Sequence, residues 1–282
     1  MGEFTYEGFR ISYDEYGAGQ RPLVLVHGLL MNRRMFERLG AEMAGRGNRV
    51  ICVDLLGHGR SDRPEDLQRY SMPLFARQIE ALLDHLELDS AVVGGTSLGA
   101  NVTLETAVRH PDRVQALFIE MPVLESALTA VAAIFAPIMV GLRFGRPLFE
   151  VLSRVSAMIP RTNLLVDIAL DWVRQEPGPS IAVLEGLLLG ESAPHSEERR
   201  QLQQPALIVG HSGDPLHPFS DSGMLAEEMP NARLVDANSI LEWRLSPGRL
   251  DDELAFFLDD MWSAAEAEER PQRKARMAGG EK

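Results

Sequence analysis

Cysteine is nearly absent: the 282 residues contain one, Cys52. A single thiol excludes an internal disulfide and any paired-cysteine metal site. Its setting, Val50-Ile51-Cys52-Val53, predicts a buried packing residue. Basic charge is also scarce, with 28 Lys and Arg against 41 Asp and Glu, a net charge of −13. A polyanion would be repelled, so no nucleic-acid partner is expected, and an anionic membrane surface is disfavoured for the same reason. Long apolar runs are missing too. Ser126–Leu142 is strongly apolar, but Pro137 interrupts it, and it falls short of the ~20 residues that a bilayer span needs. No transmembrane segment is expected. Met1–Tyr6 has no basic region followed by an apolar core, so no signal peptide is expected and the cytoplasm is the default compartment. No His/Asp/Glu cluster stands at ligand spacing and no cofactor motif occurs, so neither a metal nor a cofactor is expected. Oligomeric state leaves no trace in the sequence.

The composition that remains suits one large folded domain: 45% of residues are hydrophobic and 24 are glycine. Phe9–Tyr16 alternates polar and apolar residues, as a half-exposed strand does. Pro22–His27, Arg49–Asp54, Ser90–Gly95 and Val114–Glu120 are short, almost continuous apolar runs, and Pro205–Gly210 and Ala232–Ala237 read as later strands. Met35–Met43, Leu74–Leu86 and residues 98–109 carry helical spacing between them. The alternation predicts an α/β fold: a mostly parallel, doubly wound sheet flanked by helices. Met121 to Gln204 breaks the pattern; it is rich in Leu, Ala, Val and Met and contains no convincing strand. The expected organisation is a core of residues 1–120 and 205–262, a helical cap inserted over 121–204, and a frayed or disordered tail over 263–282. Arg249–Trp262 reads as a closing amphipathic helix.

Gly95-Thr96-Ser97-Leu98-Gly99 matches G-x-S-x-G, between an apolar strand and a helix-compatible stretch. Small flanking residues there let a strained strand-to-helix turn expose a serine. His27-Gly28-Leu29 ends an earlier strand, and Asp54-Leu-Leu-Gly-His-Gly-Arg-Ser61 follows the next. In order and spacing these three segments resemble the α/β-hydrolase superfamily, in its serine hydrolase and esterase branch, over about Phe9 to Trp262. The resemblance implies Ser97 as nucleophile and the backbone N–H groups of Leu29 and Leu98 as an oxyanion hole. It also implies that His27 and His58 shape loops. His85, His110 and His195 read as solvated surface residues.

Chain order in this fold is Ser, then acid, then His. Gly210-His-Ser-Gly-Asp214-Pro-Leu-His217-Pro218 resembles the acid segment of the family, which points to Asp214; Glu120, ending another strand, is the second candidate. The histidine ordinarily follows the last strand. Here Asn238–Pro247 contains none, and none occurs after His217. Three readings stay open: a relocated base, with His217 preferred to His211; a carboxylate base such as Glu242; or a catalytically degenerate protein that binds an apolar ligand or a protein partner. The apolar residues Leu124, Leu128, Val131, Ile134, Phe135, Ile138 and Met139 recur at near-helical spacing in the expected cap. If some face the serine, the substrate is an apolar ester, thioester or similar acyl compound.

Overall fold

The computed structural model describes residues 1–160, 170–171, 173–239 and 241–279, with side chains to residue 264. Eight strands form one sheet: β1 (Gly2–Tyr6), β2 (Phe9–Tyr16), β3 (Pro22–Val26), β4 (Arg49–Val53), β5 (Ala91–Thr96), β6 (Val114–Glu120), β7 (Ala206–His211) and β8 (Ala232–Ala237). Their spatial order is β1-β2-β4-β3-β5-β6-β7-β8. β1 and β2 run antiparallel to their neighbours, and the remaining pairs are parallel. This is the doubly wound α/β sheet that the strand and helix alternation predicts. β3, β5 and β7 are buried at every position, because helices cover both faces of a parallel sheet. Cys52 lies in β4, fully buried, and burial pushes its thiol up, away from the reactive thiolate.

β1 is not anticipated by the sequence reading. It pairs with β2 through Glu7 and Gly8, whose φ angles of 47° and 84° are both positive, as the tight hairpin turn matched to strand twist requires.

From β3 the chain moves to β4 on one side, then crosses to β5 on the other. The carboxyl ends of β3 and β5 therefore flank a switch point, where open α/β sheets leave a crevice for ligands. α1 (Glu37–Gly45), α2 (Met72–His85) and α3 (Leu98–Arg109) connect the strands of this half. Between β6 and β7 lie α4 (Leu128–Phe144), α5 (Arg146–Ala157), α6 (Pro177–Leu188) and the one-turn α7 (Ser196–Arg199), with no strand among the described residues. Residues 161–169 and 172 of the expected cap lie outside the described residues. α4 runs unbroken through Pro137, although the ring removes one backbone donor. No single helix among the described residues is long and apolar enough to cross a membrane; α4 and α5 together have the composition, but they are bent 97° apart.

The chain forms two compact units, Met1–Ile240 and Leu241–Lys282. The first includes α8 (Phe219–Glu228), between β7 and β8. The second holds α9 (Glu242–Leu245) and α10 (Gly248–Gly279), where Trp243 Nε1 donates to Asp251 Oδ1 at 2.7 Å. α10 continues past Ser263, where a frayed tail is expected from the sequence. The Ala, Glu, Arg and Lys residues there are strong helix formers, and their propensity favours continuation.

Candidate active site

The turn from β5 into α3 presents Ser97 with φ 55° and ψ −112°, a conformation that costs a non-glycine residue about 1–3 kcal/mol. Its neighbours explain why the backbone tolerates it. A β-carbon on Gly99 or on Gly95 would overlap the Val26 carbonyl oxygen of β3, so only glycine lets strand and helix close to this distance. The Ser97 N–H donates to the Glu120 carbonyl at 2.9 Å, and the Ser97 carbonyl accepts from Asn101 N at 3.1 Å.

The neighbouring loops are built from buried polar groups. His27 Nδ1 lies 2.8 Å from the Gly28 carbonyl, which can only accept, so Nδ1 carries the proton. Nε2 then accepts from Leu55 N at 3.1 Å. Asp54 accepts from the backbone N–H of Arg33 (2.7 Å) and of Arg60 (2.8 Å), and from the Arg33 guanidinium. Ser61 Oγ donates to the Asp54 carbonyl at 2.6 Å. These contacts fold the loops after β3 and β4, the role that the resemblance implies for His27 and His58.

Both rings are fully buried, 4.8 Å apart between centroids. Burial pushes both imidazoles below their usual range, and His27 beside it pushes His58 down further. The folded protein thus resists protons that the unfolded chain takes up below about pH 6.5, and stability falls as pH drops through that window. Thermal melts between pH 7.5 and 5 should show the midpoint falling. His58→Asn, whose amide replaces the donor to the Leu56 carbonyl (3.0 Å) but does not titrate, should flatten part of that slope. An unchanged slope would count against the burial argument.

β7 ends at His211, and the loop after it carries Asp214 and His217. His217 Nε2 lies 2.9 Å from Ser97 Oγ, and its Nδ1 lies 2.9 Å from Asp214 Oδ2. Asp214 Oδ1 accepts from the backbone N–H of Leu216 (2.8 Å) and of His217 (3.1 Å). Burial alone would raise the Asp214 carboxyl; the hydrogen bonds from the His217 side chain and from these amides outweigh it and hold it below its usual range. Ser97, His217, Leu29 and Leu98 line one cavity of about 460 Å³. Its walls are mainly apolar: Val131 and Phe135 from α4 and Leu184 and Leu188 from α6 or its end. Leu98 opens α3, so its N–H has no acceptor within the helix.

The two carboxylate candidates are engaged by other partners. Glu120 accepts from Thr96 Oγ1 and faces His211 rather than His217. Glu242 accepts from Arg249 Nε and Nη2, both at 2.8 Å. Ile240, near the histidine position usual in the family, lies outside the described residues. Of the three expected surface histidines, His85 and His195 are exposed, while His110 is only partly so. His110 Nδ1 sits 3.0 Å from Glu80 Oε1 with 18% of the side chain exposed. His85 stacks on Phe4 at 5.3 Å and meets the Tyr13 hydroxyl at 3.3 Å. Phe4 belongs to the unanticipated β1, which brings it to the end of α2. His195 is exposed, near Glu191 at 3.4 Å.

A family model described as alpha/beta hydrolase fold matches residues 21–149. Over 252 residues the chain is 28% identical to the 2-hydroxymuconate semialdehyde hydrolase of Pseudomonas sp. (strain CF600), covering 82% of this chain and 83% of that one. It is 35% identical over 112 residues to the AB hydrolase superfamily protein YisY of Bacillus subtilis (strain 168), spanning 39% of this chain and 41% of that protein. Among solved structures, the enol-lactonase from Burkholderia xenovorans LB400 superposes with a TM-score of 0.74 at 19% identity, over 92% of this chain and 100% of that one. The fold and the presented serine define an α/β-hydrolase-fold protein. Residues 21–149 match that family, and the relatives of the chain include a hydrolase.

Proposed function

We propose that this chain is a serine hydrolase acting on an apolar ester, thioester or similar acyl compound, with Ser97 as nucleophile, His217 as base and Asp214 as acid. One observation carries the reading: a single imidazole bridges Ser97 Oγ and the Asp214 carboxylate, at 2.9 Å on each side. The Asp214 carboxylate keeps the proton on Nδ1 and leaves the Nε2 lone pair for the serine. Ser97 Oγ attacks the carbonyl carbon while its proton passes to Nε2. The negative oxygen that forms is held by the N–H groups of Leu29 and Leu98, preorganised donors worth roughly 3 kcal/mol each. His217 returns the proton to the leaving alkoxide or thiolate as its bond to carbon breaks. Water, deprotonated by His217, then releases the acid from Ser97. The apolar walls from α4 and α6 favour an uncharged acyl group, and the helical segment between β6 and β7 serves as the cap over it.

A fluorophosphonate probe and short p-nitrophenyl esters test this. Wild type should be labelled and should turn the esters over. Ser97→Ala should abolish labelling and reduce turnover by about 10⁴-fold or more. Equal turnover by both proteins would sink the reading.

A further inference from the structure

Asp214 and His217 sit on one loop and bond to each other, so they move as a unit. Their mutual bonds leave open what sets the distance from that unit to Ser97. His211, at the root of the loop, accepts from Asp214 N on its carbonyl at 3.3 Å. Its ring spans two strands' ends: Nδ1 lies 3.0 Å from the Ser239 carbonyl beyond β8, and Nε2 lies 3.3 Å from Glu120 Oε1 at the end of β6. Glu120 in turn grips the elbow twice. Its carbonyl accepts from Ser97 N at 2.9 Å, and its Oε2 accepts from Thr96 Oγ1. Contacts thus close a ring from the elbow through Glu120, His211, Asp214 and His217 back to Ser97. The Glu120 and His211 side chains are 2% and 0% exposed, and neither lines the cavity.

We propose that Glu120 and His211 are positioning residues, a buried strut that sets the separation between Ser97 and the Asp214–His217 loop. This rests on the nucleophile reading above. The proton count identifies a conservative replacement. A carbonyl only accepts, so Nδ1 of His211 carries a proton in every state. Nε2, the other ring nitrogen, is the one that faces Glu120 Oε1, at 3.3 Å. Glutamine at 120 has the same shape and zero charge; its amide N–H can donate to Nε2 while its oxygen accepts from Thr96.

The test compares wild type with E120Q, E120A, H211N and the double variant H211N/E120Q on a short p-nitrophenyl ester. Asparagine at 211 keeps a donor for the Ser239 carbonyl but does not reach Glu120, so H211N cuts the strut and leaves the β8 side tied. E120Q should stay within about threefold of wild type. E120A and H211N should lose roughly 10²-fold in kcat, the cost of about 1 Å of misplacement, at unchanged KM. The double variant should be no faster than H211N. Wild-type kcat in H211N, an E120Q as slow as E120A, or recovery in the double variant would each overturn the strut; the last two would point to charge instead. Should wild type itself show no Ser97-dependent turnover, the nucleophile reading fails, and crystal structures of wild type and H211N decide the strut independently. It predicts that the Ser97 Oγ to His217 Nε2 separation opens beyond hydrogen-bond reach in H211N, and an unchanged separation would overturn it.

Discussion

Replacing His217 with alanine is expected to lower kcat on short acyl esters by about 10⁴- to 10⁶-fold, the range seen when a serine hydrolase loses its base. The serine has one imidazole within reach, Nε2 at 2.9 Å. Without it Oγ keeps its proton, and the departing alkoxide has no donor. KM should change little, because the apolar walls of the cavity come largely from α4 and α6. The ranking of two histidines sharpens the test. His211 faces Glu120 and the Ser239 carbonyl, not Ser97, so its removal should cost orders of magnitude less than loss of His217. Steady-state kinetics of H217A and H211N, with melting curves to verify folding, settle the order. A larger loss in H211N would mean that the base is assigned to the wrong ring.

Much of this site is legible in the sequence because it depends on local rules. Gly95 and Gly99 must be glycine where Val26 comes close, and the short apolar run that leads into the elbow reads as a strand covered on both sides. Asp214 is legible for the same reason: it folds its own loop by accepting two amides two and three residues ahead. The proximity of His217 to Ser97 is different in kind. It joins residues 120 positions apart, and no periodicity encodes such a distance. By sequence Glu120 is an acid candidate because it ends a strand; only the pairing of β6 with β7 brings it to His211. The helices between β6 and β7 expose a further limit. Spacing marks α5 as amphipathic but not which face turns inward. Here Ser153 and Ser156 are buried, while Leu148, Val151, Leu152 and Val155 are exposed, the reverse of the usual arrangement.

Asp214→Asn should be nearly as damaging as loss of the carboxylate altogether, about 10⁴-fold in kcat, although it changes neither size nor shape. The reason lies in the loop. Oδ1 accepts from two backbone N–H groups, of Leu216 and His217, and only an oxygen can fill that position. Asparagine must therefore turn its oxygen to the amides and its NH₂ toward His217 Nδ1, 2.9 Å away in the native protein. A donor facing Nδ1 selects the tautomer that carries its proton on Nε2. That nitrogen then donates toward Ser97 Oγ instead of accepting from it, and the attack loses its base. Folding should survive, since both amides keep an acceptor. Some stability is lost all the same. Asp214 is held ionised below its usual range, a contribution present above that range and lost as pH falls through the native value. The variant should thus melt below wild type at neutral pH and approach it in acid. Kinetics and melts of D214N decide the matter together: kcat within tenfold of wild type would show that the carboxylate does not set the tautomer. A collapse in both kcat and fold would show instead that its main work is to hold the loop.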